Sequence, residues 1–206
     1  MSELSAAGPG ARILGLVLAG GEGRRLGGGD KTLAEVGGLA ILDRILARLG
    51  PQVGALALSA NGDRARFASR RLPVVPDLAP GQGPLGGILA GLRAASAILP
   101  GCRAILSVPG DAPFLPADLA ARLLDAADGE RPAIARSAGR DHPVVGLWPL
   151  TLADELEAFL SAGLRRAGDF ACRAGAVAVA WPDAAGDPFL NVNTPEDLAA
   201  ARARRP

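Results

Sequence analysis

The amino-acid sequence predicts an α/β fold with a mostly parallel, Rossmann-like sheet that carries helices on both faces, in three layers. Apolar stretches that suit buried strands alternate along the chain with stretches of helical periodicity. Several of these strands are apolar on both faces, as strands are in a parallel sheet that is covered on both sides. Because 206 residues suit one domain better than two, we expect a single domain over residues 1–206, with residues 1–11 flexible.

The strands and helices follow from the period of the apolar residues. Runs of aliphatic residues predict strands at 13–19, 53–59, 73–75, 104–108, 132–135, 144–148 and 176–181. Helical spacing predicts helices at 41–49, 63–71, 85–98, 116–127, 150–162 and 195–203. Pro116 and Pro195 stand where a first-turn proline is tolerated, and Thr194 with Asp197 forms the pattern of a helix cap. In such a fold, ligands bind at the carboxyl ends of the strands.

The composition limits the kind of ligand. A net charge of +1, 49% hydrophobic residues and a mean hydropathy of +0.25 argue against disorder and against a broad charged surface. No apolar run approaches the roughly 20 residues of a membrane span, and the first residues lack the features of a signal peptide. We therefore expect a cytoplasmic protein with a small ligand and no nucleic-acid or membrane partner. Cys102 and Cys172 have no metal-ligand spacing, so both are predicted to be small buried residues.

The stretch LAGGEGRRLGGGDKT, residues 18–32, follows the first predicted strand and has the composition of a phosphate-binding loop. It matches neither familiar motif, because the dinucleotide fingerprint needs glycine in place of Leu26 and the P-loop needs glycine in place of Asp30. Its glycines nevertheless allow backbone N–H groups to surround phosphate oxygens, and Arg25 and Lys31 add positive charge. The stretch therefore predicts a polyphosphate site.

Lys31 is the single lysine among 22 basic residues. A lysine in a chain that otherwise uses arginine indicates a position that needs a compact point charge on a flexible stem, as a phosphate oxygen does. The alternative is that residues 20–29 form a flexible turn with solvated charges. The position of the loop directly after a buried strand favours phosphate binding.

Two further predicted strands end in carboxylates. Asp111 follows strand 104–108, and a carboxylate at a strand end near a phosphate loop suits Mg²⁺. Its alternative role is a tight turn with Gly110. Asp77 follows strand 73–75 and leads into a second glycine-rich loop, LAPGQGPLGGILAGL. The sequence thus predicts several strand ends whose loops suit one ligand.

Five segments together resemble one enzyme family. LAGGEGRRLGGGDK, GPLGGILAGL, PGDAPFLPADL, RDHPVVGLWP and FLNVNTPEDL occur in this order between residues 13 and 200. They resemble the molybdenum cofactor guanylyltransferases, the MobA family of nucleotidyltransferases with a glycosyltransferase-A-like α/β fold. The first segment is shared across related nucleotidyltransferases, whereas RDHP and NVNTPEDL are more particular to this family. The resemblance implies transfer of GMP from Mg²⁺-bound GTP to the terminal phosphate of molybdopterin, which releases pyrophosphate and forms molybdopterin guanine dinucleotide.

The resemblance also implies roles for residues on the nucleotide side. Arg25, Lys31 and Asp111 are the implied catalytic residues, and Asp111 is the implied Mg²⁺ ligand. Nucleotide contacts are implied at Leu18, Ala19, Gly20, Gly21, Lys31, Ser59, Asp77 and Asp111. Ser59 departs from the family, which often has Asn at this position. That contact is either lost or replaced by the hydroxyl of Ser59 or by nearby Asn61.

On the acceptor side, the candidates are His142, Asn191 and Asn193. His142 lies among polar residues, and a pKa near neutrality suits a phosphate or a pterin, although a loop histidine bonded to backbone is an equal alternative. Asn191 and Asn193 are two residues apart, so both side chains point to one face of an extended segment. The family places this segment beside the pterin substrate. The alternative is that Asn193 and Thr194 only shape the start of the last helix.

Other functions stay open from the sequence. A molybdopterin cytidylyltransferase, or another nucleotidyltransferase of the same fold, would keep the chemistry and change the base. The pair Gly20 and Gly21 favours the guanylyl member, because the loop of the cytidylyl member commonly reads LAAG. A non-catalytic GTP-binding delivery module would bind nucleotide and release no pyrophosphate. The resemblance implies GTP and molybdopterin as substrates, and other molybdenum cofactor biosynthesis proteins and apo-molybdoenzymes as further partners.

Overall fold

A computed structural model of the protein describes residues 8–20, 31–184 and 186–204. Its strands are β1 Ile13–Leu18, β2 Glu35–Val36, β3 Leu39–Ala40, β4 Ala55–Ser59, β5 Val74–Val75, β6 Ala104–Pro109, β7 Ala133–Ser137, β8 Arg140–Pro149 and β9 Val177–Ala180. Its α-helices are α1 Ile41–Leu49, α2 Gly83–Ile98, α3 Leu119–Ala126, α4 Ala153–Ser161, α5 Ala167–Arg173 and α6 Pro195–Ala203. Short 3₁₀ helices occur at Pro9–Arg12, Lys31–Leu33, Gly50–Gln52, Ala65–Arg70 and Leu150–Leu152. No helix in the described ranges is both long and apolar enough to cross a bilayer.

Seven strands form one sheet in the order β5-β4-β1-β6-β8-β7-β9. Only β8 runs antiparallel to its neighbours β6 and β7, and the other described strand pairs of this sheet are parallel. The carboxyl ends of β5, β4, β1 and β6 therefore meet at one edge of the sheet, together with the amino end of β8. This topology confirms the predicted mostly parallel α/β fold.

Helices cover both faces of the sheet, which gives the three layers that the sequence predicts. Side chains alternate along β1, so that Val17 packs with α1, α3 and α6 on one face and Leu16 packs with α2, α4 and α5 on the other. Both core clusters combine aliphatic and aromatic side chains that are fully buried at their centres, with Ile45 and Leu123 in the first and Trp148 and Phe170 in the second. Because both faces of the sheet are buried, the sequences of its central strands are continuous apolar runs.

The cap predicted for the last helix is present. The hydroxyl of Thr194 accepts a hydrogen bond from the N–H of Asp197 at 3.1 Å, and the Asp197 carboxylate accepts one from the N–H of Thr194 at 2.9 Å. Pro195 occupies the first turn. This reciprocal capping box fixes the start of α6 as the sequence predicts.

Three predicted helices differ from the structure, and one of them, predicted over 150–162, is a 3₁₀ helix at Leu150–Leu152 followed by α4 from Ala153. The predicted helix over 63–71 is a 3₁₀ helix, Ala65–Arg70, whose single buried side chain is Phe67. One buried residue gives too small an apolar face to stabilise an α-helix of this length. The helix predicted from Pro116 begins instead at Leu119. In an α-helix that began at Pro116, the N–H of Ala120 would donate to the Pro116 carbonyl, but it donates to Gln52 Oε1 at 2.9 Å, and the Gln52 amide nitrogen donates to that carbonyl at 2.9 Å.

Strands β2 and β3 and helix α5 were not predicted from the sequence. Strands β2 and β3 form an antiparallel ribbon whose turn consists of Gly37 and Gly38, both with positive φ, as a tight hairpin requires. Helix α5 buries Ala167, Phe170 and Ala171, and this i, i+3, i+4 spacing is a signal that the sequence does carry. Cys172, next on the same helix, is exposed, so the prediction that both cysteines are buried is wrong for Cys172 and confirmed for Cys102.

Small residues allow α2 to lie close to the ends of the strands. A Cβ added at Gly87 would lie 2.4 Å from Ser59 Oγ and 2.9 Å from Leu18 Cδ2. One turn later, a Cβ at Gly91 would lie 2.4 Å from Leu16 Cδ2. Helix α2 can therefore pack against β1 and β4 only because these positions have no side chain.

This packing predicts opposite effects for two glycine substitutions. Gly87→Ala is expected to lower the free energy of unfolding by about 1–3 kcal/mol, because its methyl group overlaps two side chains. Gly168 is the matched control, since it lies in α5 where an added Cβ meets open space. Gly168→Ala is expected to raise the free energy of unfolding by up to about 1 kcal/mol through helix propensity. Urea titrations measure both, and a stabilised Gly87→Ala protein would contradict the close packing of α2.

Candidate active site

A cavity of about 980 Å³ opens at the edge where the carboxyl ends of β5, β4, β1 and β6 meet. This volume suits a nucleotide-sized ligand. The cavity brings together the following residues that the sequence analysis singled out: Leu18, Ala19, Gly20, Ser59, Asp77, Asp111, Asn191 and Asn193. Of the remaining candidates, Gly21, Arg25 and the side chain of Lys31 lie outside the described parts of the chain, and His142 is not among the lining residues.

The backbone after β1 is held between its two neighbouring strands. The N–H of Ala19 donates to the carbonyl of Ser59 at 2.8 Å, and the N–H of Gly110 donates to the carbonyl of Leu18 at 2.9 Å. The guanidinium of Arg66 adds a longer contact of 3.4 Å to the carbonyl of Ala19. A Cβ at Gly110 would lie 2.9 Å from the Leu18 carbonyl oxygen, so glycine is needed for this approach. The start of the glycine-rich stretch is thereby fixed at the cavity.

Asp77 lies half-buried on the cavity wall, and Asn61 fixes its orientation. The Asn61 amide nitrogen donates to Asp77 Oδ2 at 2.8 Å, and the N–H of Asp77 donates to Asn61 Oδ1 at 3.0 Å. The hydroxyl of Ser59 is 3.5 Å from Asp77 Oδ1, a much weaker contact, and Ser59 is only 2% exposed. Of the two replacements considered for the family's asparagine, Asn61 is thus the one that pairs closely with Asp77.

The amino end of α2 forms another wall. Gly83, Pro84 and Gly87 line the cavity, and the first turn of this 16-residue helix contains no acidic side chain. The first turn of an α-helix has N–H groups without partners inside the helix and carries the positive end of the helix dipole, and at this end of α2 no carboxylate of the same turn competes for them. Such a helix end favours phosphate groups.

Asp111 follows β6 and lies half-buried at the cavity. In the described part of the chain, no group of three or more His, Cys, Asp or Glu side chains is placed to hold a metal ion. A single carboxylate nevertheless suits Mg²⁺, which binds proteins through one or two carboxylates and completes its shell with substrate phosphates and water. The residues present therefore fit a metal that arrives with a nucleotide.

The segment that carries Asn191 and Asn193 lies beside Asp111. The N–H of Val192 donates to the carbonyl of Asp111 at 2.8 Å. Val192 is fully buried, whereas both asparagines are exposed and line the cavity. The spacing of two therefore places the asparagines on one face, as the sequence predicts. The Asp197 carboxylate also accepts a hydrogen bond from the N–H of Asn193 at 2.9 Å, so Asn193 belongs to the start of α6 as well.

His142 lies on β8 behind this segment. Its Nε2 is 2.7 Å from the hydroxyl of Ser137, and its ring centroid is 5.1 Å from that of Phe189. Burial lowers the pKa of His142 below its ordinary value and outweighs the opposing carboxylates of Asp187 and Asp141. The imidazole is therefore neutral at pH 7. Sequence reasoning found this histidine and missed its partner Ser137.

Residues 15–177 match the model of the MobA-like NTP transferase domain. Together with the fold and the cavity, this match defines the protein as a nucleotidyltransferase. Among solved structures, molybdopterin-guanine dinucleotide biosynthesis protein A from Archaeoglobus fulgidus superimposes with a TM-score of 0.72 at 25% identity, over 92% of this chain and 96% of that one. Rv0371c from Mycobacterium tuberculosis H37Rv in complex with manganese shares the fold, with a TM-score of 0.64 at 23% identity, over 92% of this chain and 97% of that one.

Curated relatives specify the family further. The molybdenum cofactor guanylyltransferase of Cereibacter sphaeroides (strain ATCC 17029 / ATH 2.4.9) is 52% identical over 93% of this chain and 96% of its own length. The enzyme of the same name from Bradyrhizobium sp. (strain ORS 278) is 48% identical over 92% of this chain and 91% of its own length. The chain therefore belongs to the molybdenum cofactor guanylyltransferase family, which confirms the resemblance found in its motifs.

Proposed function

We propose that this protein transfers GMP from Mg²⁺-bound GTP to the terminal phosphate of molybdopterin. The reaction releases pyrophosphate and forms molybdopterin guanine dinucleotide. One observation supports this proposal above the others: a single cavity joins the strand-end carboxylates Asp77 and Asp111 to the asparagines Asn191 and Asn193. The names of the relatives supply the identity of the two substrates.

The residues at the cavity suit in-line phosphoryl transfer. An oxygen of the acceptor phosphate attacks the α-phosphorus of GTP, the bond to the bridging oxygen breaks, and pyrophosphate leaves with the electron pair. No covalent intermediate is needed, so the protein mainly aligns two anionic substrates and neutralises their charge. The amino end of α2 meets the phosphates, and we assign the same task to Arg25 and Lys31 from the family resemblance.

Asp111 is the residue that we propose to hold Mg²⁺. When bound, the ion neutralises charge on the phosphates of GTP. Asp77 lines the cavity beyond Ser59, as seen from Asp111. Asn61 orients its carboxylate, which can accept hydrogen bonds from the nucleoside. In this proposal, the donor nucleotide lies along the ends of β5, β4, β1 and β6.

Asn191 and Asn193 form the acceptor side of the cavity in this proposal. Their amide groups can donate to phosphate oxygens and accept from pterin N–H groups. The N–H of Val192, between them, donates to the carbonyl of Asp111, so the backbone couples the acceptor asparagines to the proposed metal ligand.

We also propose a cytoplasmic location for the protein. The product is delivered to apo-molybdoenzymes with the help of other molybdenum cofactor biosynthesis proteins.

Pyrophosphate release tests the proposed function. Purified protein is mixed with molybdopterin and Mg²⁺, and GTP, CTP and ATP are offered in turn. Release with GTP, dependent on both Mg²⁺ and molybdopterin, is the expected result. Release with CTP alone would instead make the protein a cytidylyltransferase. Nucleotide binding without release under any condition would indicate a delivery module.

Replacing Asn191 or Asn193 by Ala is expected to raise the KM for molybdopterin about tenfold, which corresponds to the loss of one hydrogen bond of about 1.4 kcal/mol. The KM for GTP should stay within about twofold of the wild-type value. Asn61→Ala is the matched control, because Asn61 orients Asp77 on the nucleotide side and should raise the KM for GTP instead. Steady-state kinetics with each substrate varied in turn separate these effects. A shared rise of both KM values would show that the two sides of the cavity are not separate.

A further inference from the structure

The hydroxyl of Ser137 bridges two titratable side chains beside the cavity. Ser137 ends β7 and is only 2% exposed. Its Oγ lies 2.7 Å from Nε2 of His142 and 2.6 Å from Oδ1 of Asp187. We refer to these three side chains as the Ser137 bridge.

The single hydrogen of the hydroxyl fixes the direction of both bonds. Burial raises the pKa of Asp187, but hydrogen bonds from Ser137 and from the N–H of Phe189, together with nearby positive charge that includes Arg140, outweigh burial, so that its pKa lies below the ordinary value. The carboxylate is therefore ionised and can only accept, so Ser137 donates to it. His142 must then donate from Nε2 to Ser137. The bridge thus holds His142 as the tautomer with hydrogen on Nε2.

The bridge anchors the segment that carries the acceptor asparagines. We call residues 187–193 the acceptor segment. At its start, Asp187 Oδ1 also accepts the N–H of Phe189 at 2.9 Å, and the carbonyl of Asp187 accepts a hydrogen bond from the Arg204 guanidinium at 2.8 Å. At its other end, Val192 is bonded to the backbone of Asp111. Asn191 lies between these two attachments.

The aromatic ring of Phe189 packs against the same bridge. Its centroid is 5.1 Å from that of His142 and 5.4 Å from that of Trp181, with the latter pair edge to face. Phe189 is 1% exposed, so its ring serves as the buried anchor of the acceptor segment. The imidazole therefore supports the acceptor segment twice, through Ser137 and through this ring contact.

We propose that the Ser137 bridge is a positioning device for the acceptor: it fixes the acceptor segment so that its asparagines meet the molybdopterin phosphate in the geometry that transfer requires. This inference rests on the proposed function. Ser137 is too deeply buried to touch a substrate, so the bridge acts through the acceptor segment. It assigns His142 a positioning role behind the cavity in place of direct contact with the acceptor.

Loss of the Ser137 bridge is expected to change the KM for molybdopterin and not the KM for GTP. Ser137→Ala is expected to raise the KM for molybdopterin about tenfold, because the carboxylate and the imidazole lose their common partner, and to leave the KM for GTP unchanged. Asp187→Ala should have the same effect. Asp187→Asn keeps an oxygen that accepts from both Ser137 and Phe189, so it should restore most of the wild-type KM.

A second buried serine provides the matched control. The hydroxyl of Ser107 is completely buried, donates to the carbonyl of Val144 at 2.8 Å and accepts from the Trp148 indole at 2.9 Å. Ser107→Ala therefore removes an equally buried, doubly bonded hydroxyl whose partners, Val144 and Trp148, lie on β8 and not in the acceptor segment. It should lower stability and leave both KM values unchanged.

Two spectroscopic readouts test the bridge without any substrate. His142 is the only histidine of the chain, so the imidazole ¹⁵N signals belong to it alone. The wild-type protein should show hydrogen on Nε2, and Ser137→Ala should lose this preference. Amide hydrogen exchange at Phe189 and Val192 should be faster in the Ser137→Ala variant than in the wild-type protein. In the separate Asp187→Asn variant, it should be close to the wild-type rate.

The outcomes separate the inference from the proposed function. A selective rise of the KM for molybdopterin, with the tautomer and the exchange rates altered, supports the positioning role. Equal changes in both KM values, or an unchanged tautomer and unchanged exchange in Ser137→Ala, overturn it. If the wild-type protein releases no pyrophosphate with molybdopterin, the proposed function has failed, and the two spectroscopic readouts alone decide whether the bridge holds the acceptor segment.

Discussion

Replacing Asp111 by Asn is expected to lower kcat by at least about a hundredfold, because the amide cannot supply the negative charge that binds a divalent cation at the phosphates. The fold should persist, since the structural bond of Asp111 to Val192 uses its backbone carbonyl. Pyrophosphate release with saturating GTP and molybdopterin measures the loss, and circular dichroism checks the fold.

Asp125→Asn serves as the control for the removal of one negative charge. Asp125 is exposed on α3 and does not line the cavity. The kcat of the Asp125→Asn variant should therefore match that of the wild-type protein. Near-normal turnover of Asp111→Asn in Mg²⁺ would remove Asp111 from the mechanism. The metal would then have to be held by the phosphates alone or by residues other than Asp111.

Lys31→Ala is expected to weaken GTP binding about ten- to a hundredfold, which corresponds to one charge-assisted contact with phosphate. The loss should be smaller for GMP and absent for guanosine, because the proposed contact is with the phosphate chain and not with the base. Isothermal titration with the three ligands measures this gradient.

Lys31→Arg is the matched variant for Lys31→Ala. It keeps the positive charge and replaces the compact ammonium by a planar fork, so it should restore part of the lost affinity for GTP. Equal losses for GTP, GMP and guanosine in Lys31→Ala would indicate a general change in the glycine-rich stretch. The phosphate role of Lys31 would then be rejected.

Elements with a buried periodic face could be predicted from the sequence. Strand β1 and helices α1 and α6 were found within one residue of their bounds, because their apolar spacing and the Thr194 cap are local signals. The 3₁₀ segment Ala65–Arg70 was predicted as an α-helix, since composition alone does not reveal that only Phe67 is buried. The local spacing of apolar residues therefore predicted the strands and helices of the three layers better than it predicted the segments that connect them.

The grouping of Asp77 with Asp111 could be predicted because parallel strands end at the same edge. These residues follow strands on either side of β1 and β4, so topology alone brings them to one cavity. The pairing of Asn61 with Asp77 was not predicted from the sequence, and the structure supplies it. The roles of Gly21, Arg25 and Lys31 remain predictions from the family.

The Ser137 bridge could not be predicted, because its third member comes from a distant part of the chain. Ser137 and His142 lie near each other across the β7–β8 hairpin, whereas Asp187 lies 50 positions after Ser137. No local pattern in the sequence shows that Asp187 returns to this hairpin. His142 alone was visible in the sequence as a polar-flanked histidine.

A competition assay tests the central claim, guanylyl transfer to molybdopterin, most directly. The wild-type protein is given equal concentrations of GTP and CTP, both labelled at the α-phosphate, with Mg²⁺ and molybdopterin, and the labelled product is identified by mass spectrometry. We predict that the label appears in a molybdopterin dinucleotide that contains guanine, in amounts equal to the pyrophosphate released. A cytosine-containing product, or label recovered only as free GMP, would contradict guanylyl transfer.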